Sequence, residues 1–214
     1  GLGAALRDGM RQVGQGRLSD MGGIYTLGPQ PGTVIRNNVF RDVRSYRYGG
    51  WGLYTDEGST GILLENNVAY RCQDAGFHQH YGRDNVVRNN LLAWNRNHSV
   101  MRTRVEEHLS FWFTNNVIVA DSGALLGSNW GGTTNQFWSD GNVWFDTRAG
   151  TSTADYSFAG KSWHDWQAHG FDPRSAIADP LLLDPARPEL GLRAESPAFR
   201  LGFRQIDLSR VGPR

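Results

Sequence analysis

Four short segments between Ser19 and Arg104 collect the side chains that can do chemistry. Aligned on their glycines they read Gly23-Ile24-Tyr25-Thr26-Leu27, Gly52-Leu53-Tyr54-Thr55-Asp56, Gly76-Phe77-His78-Gln79-His80 and, without a glycine, Val100-Met101-Arg102-Thr103-Arg104. The apolar member (Ile24, Leu53, Phe77, Met101) keeps one column. Alternate residues of a strand face opposite sides, so if that column points into a core its neighbours point out. The outer columns are then Tyr25, Tyr54, His78, Arg102 and Leu27, Asp56, His80, Arg104. With neighbouring strands about 4.8 Å apart, Asp56, His80 and Arg104 would stack as carboxylate, imidazole and guanidinium within hydrogen-bonding reach. A carboxylate beside an imidazole holds its tautomer and favours its charged form, and arginines favour ionised acids. Such a cluster suits binding of a polar substrate and proton transfer.

Further carboxylates lie close in sequence: Asp20 before the first segment, Glu57 after Asp56, Asp74 before the third, and Glu106 and Glu107 after the fourth. Glycosidic cleavage usually needs two carboxyl groups, about 5 Å apart for retention or about 6.5–9.5 Å for inversion. The alignment puts Asp20 at the opposite end of its strand from Asp56, so only a bend or side-chain reach would join them. His78, His80 and Asp56 are also a set that a transition metal accepts, but flanking Arg102 and Arg104 oppose a cation. The expectation is therefore no metal and no cofactor. The chain has no phosphate-binding glycine loop, cysteine cluster or nucleophile elbow.

The elements that must position these groups follow from a repeat. Asn37-Asn38-Val39-Phe40, Asn66-Asn67-Val68-Ala69, Asn89-Asn90-Leu91-Leu92, Asn115-Asn116-Val117-Ile118 and Gly141-Asn142-Val143-Trp144 recur, the second Asn advancing by 29, 23, 26 and 26 residues. Short β-rich runs precede each. A period in the twenties with no helical stripe predicts a parallel β-solenoid, each rung burying its apolar edges against its neighbours. The frame of a leucine-rich repeat is missing, and a propeller blade needs longer repeats. Asn at a tight bend tolerates the left-handed region, and its amide can bond the next rung. Residues 19–146 are expected to form the coils, and 1–18 a turn, a helix or the remnant of an upstream coil. Residues 147–214 read as loop, a short helix beginning at Ser162 with Asp165 completing a capping box, and a proline-rich tail whose leucines and phenylalanines cap the open end of the coil. The expected fold is all-β, a parallel β-helix with that short helix and capping tail.

A chain of 214 residues supports one sizeable domain, and 22 basic against 21 acidic residues give no reason to expect nucleic acid. No apolar run approaches the ~18 residues of a membrane span. The single cysteine, Cys72, has no partner for an internal disulfide and reads as a small buried hydrophobe. Eight Trp and seven Tyr supply core or sugar-stacking surface. An exposed first rung would invite self-association, so a homo-oligomer through the solenoid end is expected.

Asp20-Met21-Gly22-Gly23-Ile24-Tyr25-Thr26, then Tyr48-Gly49-Gly50-Trp51-Gly52-Leu53-Tyr54-Thr55-Asp56-Glu57-Gly58-Ser59, then His78-Gln79-His80-Tyr81-Gly82 with Asn85 and Asn89-Asn90, carry a resemblance. They resemble the right-handed parallel β-helix proteins of the pectate-lyase-like superfamily, and within it glycoside hydrolase family 141, with its α-L-fucosidase and xylanase activities. Asp179-Pro180, Ser196-Pro197-Ala198 and Gly202-Phe203 are similar to that group's C-terminal cap. The resemblance implies a secreted or periplasmic hydrolase of plant or algal cell-wall polysaccharide. It implies catalysis by Asp20 and Asp56 on successive coils, with Tyr54, His78 and His80 lining the pocket. His78 and His80 would orient groups or relay protons, Arg102 and Arg104 would bind polar substrate groups, and Tyr25, Trp51, Tyr54, Glu57 and Tyr81 would complete the binding surface. A polysaccharide lyase using Arg, His or Tyr as base, and a non-catalytic carbohydrate-binding β-helix, stand as rivals.

Overall fold

A computed structural model describes residues 17–131, 134–209 and 211. Each turn of the chain gives one short strand to each of three parallel sheets. The first sheet runs Gly22–Thr26, Trp51–Thr55, Phe77–Gln79, His98–Arg102, Ala124–Ser128. The second runs Val34–Arg36, Leu63–Glu65, Asn85–Arg88, Phe111–Thr114, Trp138–Asp140. The third runs Val39–Arg41, Val68–Tyr70, Leu91–Ala93, Val117–Ala120, Val143–Asp146 and gains a sixth strand, Ala176–Ile177, after the fifth coil. Ser59–Thr60 and Gly82–Arg83 form a small extra parallel pair beyond the first sheet. The chain is thus an all-β parallel solenoid of about five turns, as the repeat requires. The first 16 residues, where a turn, helix or earlier coil is expected, lie outside the described residues. Among the described residues no helix is long and apolar enough to cross a membrane.

The paired asparagines divide two tasks. The first of each pair, Asn37, Asn66, Asn89 and Asn115, turns the corner with φ between +53° and +57°, and Gly141 takes that place in the fifth coil. A short polar side chain is among the few that accept this region. The second of each pair points inward and bonds its own copy one coil on. Asn38 Nδ2 donates to Asn67 Oδ1 at 3.0 Å, Asn67 to Asn90 at 3.0 Å, Asn90 to Asn116 at 3.1 Å and Asn116 to Asn142 at 3.2 Å. The ladder ends where Asn142 Nδ2 donates to Asp172 Oδ1 at 3.0 Å.

Inward residues of all three sheets form one core, with Leu53, Phe77 and Val100 from the first, Leu64, Val87 and Phe113 from the second, and Phe40, Leu92 and Ile118 from the third. Cys72 lies in it, and burial pushes its thiol up to about 12, so it behaves as the small hydrophobe expected.

The tail does not cap the coil as expected. The open end beyond the fifth coil is closed instead by Tyr156, Phe158, Trp166 and Phe171, which join the main core; Phe171 stacks on Phe137 at 4.3 Å. Trp166 belongs to helix α1, Trp163–Ala168, whose N-cap Ser162 accepts from the Asp165 amide as the capping box predicts. The tail runs instead along the outer face of the third sheet. There Leu182, Leu192, Ala198, Phe203 and Ile206 cover Val68, Leu91, Val117 and Val143 in a second apolar cluster. Corner asparagines hold it down: Asn115 donates to the Leu201 carbonyl at 2.6 Å, and Asn89 exchanges two bonds with Arg204. The third sheet is apolar on both faces because both are covered.

Candidate carboxylate site on the first sheet

Register decides which side chains meet on the outer face of the first sheet. Tyr25 pairs with Tyr54 and Tyr54 with His78, as the glycine alignment requires. The fourth coil corrects that alignment by one residue. Phe77 faces Val100, His78 faces Met101 and Gln79 faces Arg102, so the outer column is Tyr25, Tyr54, His78, Met101. A one-residue slip sends every following side chain to the other face. Arg102, expected among the substrate-binding residues, therefore points inward. It is 1% exposed, bonds the carbonyls of Asn129 at 2.8 Å and Gly131 at 2.7 Å, and lies over the Phe137 ring at 4.6 Å. Thr103 takes its place beside the histidines. Arg104 stays outside, its guanidinium 4.2 Å from the centre of the Tyr81 ring.

The two carboxylates that strand arithmetic kept apart converge through the phenols of the first two coils. The Tyr25 hydroxyl donates to Asp56 Oδ2 on the second coil, and the Tyr54 hydroxyl donates to Asp20 Oδ1, ahead of the first strand, at 3.1 Å. The bonds cross: each phenol serves the carboxylate of the other coil. Asp20 stands in the left-handed region, φ +60°, and its amide donates to the Tyr48 carbonyl at 2.9 Å, which makes the bend that arithmetic along the strand omits. Asp56 is buried and Asp20 half-buried. Both phenols are held well above the usual tyrosine range. For Tyr25 the bond to Asp56 comes first and burial second; for Tyr54 burial comes first, then Asp56 and the charge of Asp20. Glu57, exposed after Asp56, adds its charge at Tyr25.

Behind the phenols is a packed aromatic layer. The Tyr54 and His78 rings stack 4.7 Å apart at 6°, and Trp51 lies 4.3 Å from each. Trp51, expected as a stacking surface for sugar, is only 3% exposed and supports the site from beneath; Tyr54 is equally buried. Of the expected stacking residues Tyr25 keeps an open face, at 42%. Tyr48, present in the motif but not among the expected binding residues, is also exposed, and the charge of Asp20 raises its phenol.

The histidines are linked by the residue that alignment missed. Thr103 Oγ1 lies 2.9 Å from His78 Nε2 and 2.7 Å from His80 Nδ1. Burial, the largest cause, pushes His78 down to about 3, so it is neutral at ordinary pH. The expected stack of Asp56 on His80 is thus replaced by Asp56 with Tyr25 and His80 with Thr103. A further dyad, Asp74 with His98 Nδ1 at 2.7 Å, lies near enough that its imidazole contributes to depressing His78. Its signal in the sequence was the Asp74 carboxylate ahead of the third strand, but the partner lies one coil on.

Among the described residues no group of three or more His, Cys, Asp or Glu could hold a metal ion. The fold and this surface define the class, a parallel β-helix carrying paired carboxylates and phenols on one outer face. No family model, curated protein or solved structure matches the chain.

Proposed function

We propose that this chain is a carbohydrate-active β-helix that hydrolyses glycosidic bonds of a polysaccharide, with Asp20 and Asp56 as its carboxyl pair. The observation that carries the reading is the crossed pair of bonds, Tyr25 to Asp56 and Tyr54 to Asp20, which brings two carboxylates from different coils to one cluster. Hydrolysis needs one carboxyl to protonate the leaving oxygen while the other remains ionised as base or nucleophile, and unlike surroundings separate those roles. Here one carboxylate is buried and the other half-buried. Exposed Tyr25 and Tyr48 offer aromatic faces beside them for sugar rings. The sequence resemblance to the pectate-lyase-like superfamily and to glycoside hydrolase family 141 supports the same pair and a substrate among plant or algal wall polysaccharides such as xylan or fucosylated glycans.

Elimination next to a uronate is the weaker chemistry for this surface. Tyr25, held protonated first by its bond to Asp56, and Tyr54, held protonated first by burial and then by the carboxylates, are donors rather than bases. The carboxylates of Asp20, Asp56 and Glu57 repel a uronate, and Arg102 faces the core.

The test is a screen on xylan, pectin, and fucosylated and arabinosylated polysaccharides, read together for reducing ends and ultraviolet absorbance. New reducing ends without absorbance, falling about 10³-fold in Asp56→Asn, are expected. Absorbance rising with cleavage would sink the hydrolase reading, and sugar binding without turnover would leave a binding scaffold.

A further inference from the structure

His78 is 2% exposed and neutral, so its ring carries one proton. Its Nε2 contacts Thr103 Oγ1, whereas its Nδ1 is buried without a hydrogen-bond partner among the described residues. A proton on Nδ1 would be an orphaned buried N–H, the rarer and costlier defect; on Nε2 it is donated to the hydroxyl and only a lone pair stays unpaired. Thr103 Oγ1 then accepts from His78, and its single proton turns to the remaining acceptor, His80 Nδ1 at 2.7 Å. That leaves the proton of a neutral His80 on Nε2. The ring of His80 is only partly buried, set edge-on against Tyr81 at 5.2 Å.

We propose that the Thr103 hydroxyl fixes His78 and His80 as their Nε2–H tautomers, so that His80 presents an N–H donor, rather than a basic nitrogen, to a ligand oxygen on the outer face. Thr103 is a positioning residue: it acts through the two rings. His80 then binds a hydroxyl or ring oxygen of a sugar and takes no proton from it. This last step rests on the carbohydrate reading; the tautomer assignment does not.

The deciding measurement is a long-range proton–nitrogen correlation spectrum of nitrogen-15-labelled protein at about pH 8, where free imidazole is mostly neutral. In both rings the protonated nitrogen is expected to be the one correlating strongly with both ring C–H protons, which is Nε2. A protonated Nδ1 in either ring would overturn the assignment. Thr103→Val keeps the shape and removes the hydroxyl; His80 is expected to move to a mixed tautomer pattern and Thr103→Ser to restore the single one. A His80 pattern unchanged in Thr103→Val would equally overturn it. For the ligand step, His80→Gln, which keeps an N–H donor, is expected to hold KM near wild type, while His80→Leu raises KM about tenfold with kcat little changed. Equal KM in the two variants would remove the donor role. Absence of turnover on every substrate would count against the hydrolase reading while the nitrogen spectra still decide the tautomers.

Discussion

The inner asparagine ladder and the outer column of the first sheet share the same coil spacing and put it to opposite uses. In the ladder, Asn38, Asn67, Asn90, Asn116 and Asn142 each bond their own copy, and the series ends on a carboxylate. In the outer column the residue changes from tyrosine (Tyr25, Tyr54) to His78 and then Met101, and the polar atoms of the first three bond sideways to Asp56, Asp20 and Thr103. There, too, the buried Nε1 of Trp51 and Nδ1 of His78 find no partner among the described residues. Repetition satisfies the stacked amides of the ladder and stabilises; departure from repetition on the outer face leaves groups with capacity for a ligand, at some cost in stability.

The contrast is broken most directly in the ladder. Asn90→Ala strips bonds from Asn67, Asn116 and the Leu64 carbonyl at once, leaving several buried polar groups unpaired. A loss of about 3 kcal/mol or more is expected from urea denaturation. A loss below about 1 kcal/mol would mean the ladder decorates the coil rather than holding it.

Next in size is the pH response of the site. Burial holds folded His78 at about 3, while an unfolded histidine titrates near about 6.5. Between those values the unfolded chain binds a proton that the folded chain refuses, so His78 makes stability fall as pH drops through that window. The slope is at most about 1.4 kcal/mol per pH unit, and above about 6.5 the contribution is flat. Denaturation of wild type and His78→Gln from about pH 7 to about pH 4 isolates it; equal slopes would place no buried neutral imidazole there.

Arg102→Met sharpens the boundary between the two regions. Losing the bonds to the Asn129 and Gly131 carbonyls and the contact with Phe137 is expected to destabilise by about 2 kcal/mol, with KM unchanged. A rise in KM at unchanged stability would return this arginine to the substrate face. The smallest effect belongs to Tyr25→Phe. Removing an exposed donor from Asp56 is expected to slow turnover about tenfold and shift stability by about 0.5 kcal/mol. Steady-state rates beside a denaturation midpoint separate the two.

The coil was legible because its signals are local and repeated. A corner Asn, or Gly141 in the fifth coil, followed by an inward Asn and an apolar pair recurs in each turn, and its backbone and packing consequences do not depend on distant residues. The capping box at Ser162 was legible for the same reason. The tail was harder, because its apolar residues state that they are covered without stating by what. Closure of the coil end fell to Phe158, Trp166 and Phe171, and the tail became a strap along the third sheet.

By itself, then, the sequence determined the parallel coil, its corners and the chemical character of the outer face, through an alternation that each strand carries internally. It assembled Tyr25, Tyr54 and His78 into one column because a glycine anchors each of those strands. Only the tertiary structure decided that Val100 rather than Met101 follows Phe77, which turns Arg102 inward and brings Thr103 to the histidines. Only it decided that Asp20 bends back to meet Tyr54. The reason is physical. Alternation fixes faces within a strand, but the length of chain spent in each corner sets the register between strands, and one residue there reverses every side chain that follows.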